Sequence, residues 1–227
     1  MVVQVVRREF AKHAGRPLSA AQSPLVIYDQ EQSGHRRHML AGADEAGRGC
    51  WAGPVVAAAV ILPNDWFPEG LDDSKKLSAK RREALCGEIR TGALCWGACA
   101  VSPGVIDRIN ILQASLLAMR RSVLKLTSVP ELVLIDGTQT PVLDIPARAV
   151  VRGDGTSAAI AAASILAKVF RDRIMVAYER IYPGYGFARN KGYGAAVHQE
   201  ALKRLGPCGI HRFSYKPIAE LDQGRLF

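Results

Sequence analysis

Three strand-like stretches of this chain run straight into an acid beside glycine. Residues 39–44 lead into Asp44-Glu45-Ala46-Gly47, residues 131–135 into Asp136-Gly137, and residues 148–152 into Gly153-Asp154-Gly155. Short runs rich in Val, Ile, Leu and Ala and bounded by glycine read as buried strands. Acids at their ends put carboxylates along one edge of a sheet, where like charges repel unless something offsets them.

The rest of the pattern supplies the layers around that sheet. Residues 54–62 form a near-continuous apolar run that predicts a second strand beside the first. Ser78 caps a predicted helix through about residue 90, residues 93–101 read as a strand, and Ser102-Pro103 opens a helical stretch to about residue 126. The longest helical pattern is the Ala-rich run 156–180, and a turn-rich Pro-Gly-Tyr-Gly stretch precedes a last helix near 195–205. Strands first, then alternating helices and strands, predict an α/β domain with a mixed β-sheet flanked by helices and a C-terminal helical region. Residues 1–38 are basic and interrupted by Gly15-Arg16-Pro17, so they read as a loosely ordered extension; the main domain is expected over 39–216 and a tail over 217–227.

Thirty Lys and Arg against 21 Asp and Glu leave a net charge of +9, which favours a polyanionic partner, either nucleic acid or an anionic membrane surface. No apolar run is long enough to span a bilayer, and the stretch before Arg7 and Arg8 is too short for a signal-peptide core. A cytoplasmic location is the expectation. Cys50, Cys86, Cys95, Cys99 and Cys208 form no paired framework and are expected to be reduced thiols rather than disulfides or zinc ligands. The glycines around Gly47 lack the Gly-Lys-Ser/Thr ending of a P-loop.

The candidate site comprises Asp44, Glu45, Asp136 and Asp154. Hard divalent cations with oxygen ligands would relieve the repulsion among them, so a cation site is the economical reading. Neighbouring side chains on a strand point to opposite faces, so Asp44 and Glu45 converge only if the chain leaves the strand there, which the following Ala-Gly-Arg-Gly permits. Asp72, Asp73, Asp107 and Asp144 read instead as solvated turn residues.

The segment Gly42-Ala43-Asp44-Glu45-Ala46-Gly47-Arg48-Gly49, followed by Gly53-Pro54, closely resembles the opening motif of the bacterial type 2 ribonucleases H. The similarity continues in order through Asp73-Ser74-Lys75-Lys76-Leu77, Ile135-Asp136-Gly137 and Gly153-Asp154. It then takes in the run from Ala162 to Asp172, Lys191-Gly192-Tyr193-Gly194 with His198, and His211-Arg212. The resemblance implies a ribonuclease H-like fold in which Asp44, Glu45, Asp136 and Asp154 bind Mg²⁺ or Mn²⁺. It also implies an endonuclease that cuts the RNA strand of RNA–DNA hybrids and nicks 5′ of single ribonucleotides in duplex DNA. Two-metal catalysis would leave 5′-phosphate and 3′-hydroxyl ends. Type 3 enzymes share the opening motif but carry a sizeable N-terminal domain and Glu as the fourth acid. A resolvase or transposase on the same fold and a non-catalytic nucleic-acid-binding module are the alternatives.

The same resemblance assigns Gly47, Arg48 and Gly49 to the 2′-hydroxyl and the adjoining phosphate, and Tyr193 to the sugar at the cut site. Ser164, Lys168, Arg171 and Asp172 fall largely along one helix face suited to phosphates. Ser164 and Lys168 are expected to contact nucleic acid, whereas an internal ion pair is as good a reading for Arg171 and Asp172. Lys75, Lys76 and Arg212 are candidates for phosphate contacts or for supporting the acids, and His198 and His211 read as structural hydrogen-bonders. The terminal Gln223-Gly224-Arg225-Leu226-Phe227 resembles the short peptides that dock on the sliding clamp, through Gln223, Leu226 and Phe227; the alternative is a tail tucked against the domain. A monomer is expected.

Overall fold

The most apolar run of the chain forms β2, Val55–Ile61, in which all 7 residues are buried. Its side chains alternate between two cores: Val56, Ala58 and Val60 enter one, and Val55, Ala57, Ala59 and Ile61 the other. A strand buried on both faces belongs inside a sheet covered on both sides. The computed structural model, which describes residues 23–33, 39–64, 66–72 and 74–223, has that form. Strands β1 (Leu40–Ala46), β2, β3 (Cys95–Val101), β4 (Leu132–Asp136) and β5 (Ala147–Val150) make a five-stranded sheet in the order β3-β2-β1-β4-β5. The β1–β2 and β2–β3 pairs are antiparallel, and the β1–β4 and β4–β5 pairs parallel, so the sheet is mixed as the sequence predicts.

Two long helices cover the faces. Helix α3 (Pro103–Val123) packs Ile106, Ala114, Ala118 and Met119 against one face. It is broken at Asn110, where φ is 63° and the side-chain oxygen accepts the Gln113 N–H at 3.0 Å, capping the second half. Helix α4 (Ala158–Ile181) covers the other face, and its alanines let it lie close to the strands. A Cβ at Gly42 would sit 2.1 Å from the carbonyl carbon of Ala159, so only glycine fits in β1 at this crossing. Helix α2 (Ala79–Gly92), capped by Ser78, buries Leu85, Cys86 and Ile89 beside α4.

The extension expected to be loosely ordered over 1–38 carries a helix, α1 (Pro24–Gln32). Its partners are distant in sequence: Val26 enters the α4 core, and the Asp29 carboxylate accepts the Ala159 N–H at 2.9 Å. Asp29 thereby satisfies a donor that the first turn of α4 leaves unpaired.

Beyond α4, short helices α5 (Phe187–Asn190), α6 (Ala196–Leu205) and α7 (Lys216–Gln223) surround a third core containing Met175, Tyr185, Phe187, Leu202 and Ile210. Ile218 of α7 is fully buried there, so the stretch expected to be a tail from 217 begins as a docked helix. Among the described residues, no helix is long and apolar enough to cross a membrane, and the five cysteines are free.

Candidate active site

Parallel pairing brings the acids together. The β1–β4 ladder ends at the Ala43–Ile135 pair, and Asp44 and Asp136 each follow by one residue, side by side at the carboxyl ends of adjacent strands. Asp136 still pairs with Val150 of β5, and the chain then turns into the one-turn helix Gly153–Gly155 that carries Asp154. The Gly153 N–H donates to an Asp136 oxygen at 2.7 Å and so holds this turn against β4. The expectation that the chain leaves the strand at Asp44 is not met, because β1 continues through Ala46, paired with β2 alone. The antiparallel partner sustains the strand after β4 has turned away.

Asp44 is 4% exposed; one of its oxygens accepts the Glu45 N–H at 2.6 Å, and Ser164 of α4 donates to the carboxylate. Burial, reinforced by the charges of Glu45 and Asp136, holds its carboxyl well above the usual range. Glu45 is also raised by burial, against the pull of Arg48, whose guanidinium lies 3.6 Å away. Burial and then the charge of Asp154 raise Asp136. Lys75 donates to Asp154 at 2.8 Å and so brings one cation to the cluster. Among the described residues, no three of these or other His, Cys, Asp or Glu side chains stand as a ready-made metal-ligand set. What is present is a partly buried edge of hard oxygen donors under mutual repulsion.

Two loops carry the residues that the resemblance assigns to the sugar, residues 47–49 directly after β1 and residues 192–194 beyond α5. Gly47 has φ +99°, and a Cβ there would lie 2.0 Å from Nε of Arg171. Arg171 and Arg212 are both fully buried. Arg171 donates to the carbonyls of Pro54 at 3.0 Å, Lys191 at 2.9 Å and Ala52 at 3.1 Å. Arg212 donates to those of Gly47 at 2.7 Å, Arg48 at 2.8 Å and Gly53 at 3.0 Å. Neither arginine is placed to meet a phosphate, and Arg171 does not pair with Asp172, which bonds Lys168 at 2.7 Å instead. The residues next to Arg171 and Arg212 in the sequence do not mark this role, since a buried guanidinium needs carbonyls that exist only once the loops have closed.

Tyr193 is 45% exposed, with the Lys168 ammonium and the Arg171 guanidinium each 5.9 Å from its ring centre and its hydroxyl bonded to the buried Cys50 thiol. Its loop is tied to the first one by the Trp51 N–H, which donates to the Gly192 carbonyl at 2.8 Å. Ser164, expected on a phosphate-facing surface, is 4% exposed and lies between Asp44 and the Ser74 hydroxyl, 2.8 Å from the latter. Lys168 and Arg48 keep partly exposed side chains. Lys76 pairs with Asp72 at 3.0 Å. Of the terminal peptide, Gln223 ends α7, while its side chain and Leu226 and Phe227 lie outside the described residues, as does Asp73.

The chain matches the family model described as Ribonuclease HII over residues 41–218. It is 57% identical to ribonuclease HII of Delftia acidovorans, over 82% of this chain and 80% of that one. It is 48% identical to ribonuclease HII of Syntrophomonas wolfei, over 89% and 80%. Among solved structures it is similar to the ribonuclease HII found in a complex with PCNA from Archaeoglobus fulgidus, with 30% identity, a TM-score of 0.62 and 78% of this chain and 95% of that chain covered. The acids at the ends of β1, β4 and β5 therefore sit in a protein that belongs to the ribonuclease HII family and is an endoribonuclease.

Proposed function

We propose that the protein hydrolyses the RNA strand of RNA–DNA hybrids and nicks duplex DNA on the 5′ side of a single embedded ribonucleotide, leaving 5′-phosphate and 3′-hydroxyl ends. The observation that carries this reading is a four-acid edge, with Asp44 and Asp154 buried in it, that runs directly into the loop bearing Arg48, which is in turn hydrogen-bonded to the loop bearing Tyr193. The acids fit Mg²⁺ or Mn²⁺ by donor chemistry: all are hard oxygen ligands, and the upward shifts of Asp44, Glu45 and Asp136 mark a site that gains from added positive charge. Asp44, Glu45, Asp136 and Asp154 would hold the ions, which when bound supply Lewis-acid stabilisation of in-line displacement at phosphorus.

The protein's own groups do the selecting. The backbone of Gly47, Arg48 and Gly49 approaches the sugar, Arg48 pairs with a phosphate, and the exposed Tyr193 ring packs on the sugar, where a 2′-hydroxyl distinguishes RNA from DNA. Lys168 holds the Tyr193 face and adds positive charge to the strand path, and Ser164 holds Asp44 in place. The protein is read as a cytoplasmic monomer. Cleavage of an RNA–DNA hybrid with Mg²⁺, beside chelator and an Asp136→Asn variant, tests the acid assignment. Cutting that survives in either control would sink it.

The terminal residues Gln223, Leu226 and Phe227 are proposed to dock on the sliding clamp. The relative from Archaeoglobus fulgidus, seen with PCNA, supports this reading. Deleting residues 223–227 should abolish clamp binding and leave cleavage unchanged; binding that persists refutes it.

A further inference from the structure

Two buried histidines take no part in the acid chemistry. His198 is 0% and His211 1% exposed, and their Nε2 atoms lie 3.0 Å apart. The positions of their protons follow from their neighbours. His198 Nδ1 lies 2.8 Å from the Tyr193 carbonyl oxygen, which can only accept, so this nitrogen carries the proton. In a neutral ring Nε2 is then bare, and His211 must donate to it from its own Nε2. That leaves His211 Nδ1 bare to accept the Cys208 N–H at 2.8 Å. The Cys208 carbonyl, 3.2 Å from the same nitrogen, already accepts the His211 backbone N–H at 2.9 Å.

The bonds thus run in one direction, from the Cys208 peptide through His211 and His198 to the backbone of Tyr193. The next residue, Arg212, holds the carbonyls of Gly47 and Arg48. Consecutive residues of one segment therefore reach both the Gly47 loop and the Tyr193 loop. The segment is itself anchored: the Arg212 N–H donates to the Trp51 carbonyl at 2.8 Å, and the Tyr185 hydroxyl donates to the Gly206 carbonyl at 2.7 Å.

We infer that residues 206–212 act as a strap setting the spacing between the Gly47 loop and Tyr193, with His198 and His211 as positioning residues for ribonucleotide selection. The inference rests on the reading that those two loops sense the 2′-hydroxyl. Trp51, Tyr185 and Phe187 enclose the pair, and Tyr185 and Cys208 are the other titratable groups against it. Burial lowers the pKa of both rings, that of His211 to about 4, which keeps the relay neutral near pH 7.

Asparagine places an amide nitrogen where Nδ1 stood, and glutamine one where Nε2 stood. His198→Asn therefore keeps the donor to Tyr193, and His198→Gln loses it, while both remove the same ring from the same cavity. On a duplex with one ribonucleotide, His198→Gln should lower kcat about tenfold with KM little changed, and His198→Asn by no more than about threefold. An equal loss in both variants, tracking their thermal stability, would show packing alone and overturn the inference. Tyr193→Ala separates the two levels. If it is impaired while His198→Gln is not, the strap fails and the sensing role stands; if it cuts like wild type, both fail. Imidazole ¹⁵N spectra of the unaltered protein give a test that needs no variant to fold. Protons on His198 Nδ1 and His211 Nε2 support the relay, and the opposite tautomers or a charged ring overturn it.

Discussion

The acid edge and the two loops that carry Gly47 and Tyr193 are built on opposite terms. At the carboxyl ends of β1 and β4, burial and like charge push Asp44, Glu45 and Asp136 upward, and one lysine, Lys75, bonds Asp154. Arg171 and Arg212 are buried more completely, yet each meets three backbone carbonyls. Burial of charge is destabilising where partners are missing and tolerable where the hydrogen bonds are complete. The first region thus stores unfavourable electrostatics that a bound cation can relieve, and the second fixes geometry. The proposed function, which combines bound metal ions with discrimination of one hydroxyl group, draws on both.

Substitutions should separate the two regions by the sign of their effect on stability. Asp136→Asn removes one repelling carboxylate; activity should fall by about a thousandfold or more, while stability without metal stays level or rises by about 1 kcal/mol. Cleavage rates beside thermal melts check this, and a markedly less stable variant would mean that the acid edge is not under repulsion. Arg212→Met should act in the other direction, costing on the order of 3 kcal/mol because the Gly47, Arg48 and Gly53 carbonyls lose a buried donor. Urea unfolding measures it, and a loss below about 1 kcal/mol would mean that the loop holds itself.

Asp29 combines the two situations, since one oxygen caps α4 and the other is buried with no hydrogen-bond partner. Burial raises its pKa from 3.8 to about 6. A raised carboxyl favours the protonated folded state, so the stability it contributes is full below about pH 4 and is lost as the pH rises through about 6. Asp29→Asn should accordingly be more stable than wild type by on the order of 1 kcal/mol at pH 8, with the gap closing toward pH 4. A gap independent of pH would place the titration elsewhere.

The acids could be found in the sequence because each stands within or just after a strand-like run with glycine at or near the turn that follows, a local pattern. The mixed sheet followed from the same runs. Features that depend on distant partners could not be read this way. Helix α1 forms where Asp29 meets the start of α4, about 130 residues away; β1 passes Asp44 because β2 still pairs with it. Ser164 carries the same residue type whether it faces phosphate or supports Asp44, and only the packing of α4 decides between them. Arg171 and Arg212 look like surface cations until the carbonyls that surround them are in place.

The most direct measurement of the central claim is cleavage of a DNA duplex containing one ribonucleotide, with Mg²⁺, beside the same duplex in all-DNA form. A single nick on the 5′ side of the ribonucleotide, with the all-DNA duplex untouched, is the expected result. Cutting of both duplexes, or of neither, would contradict the assignment of the Gly47 loop and Tyr193 to the 2′-hydroxyl.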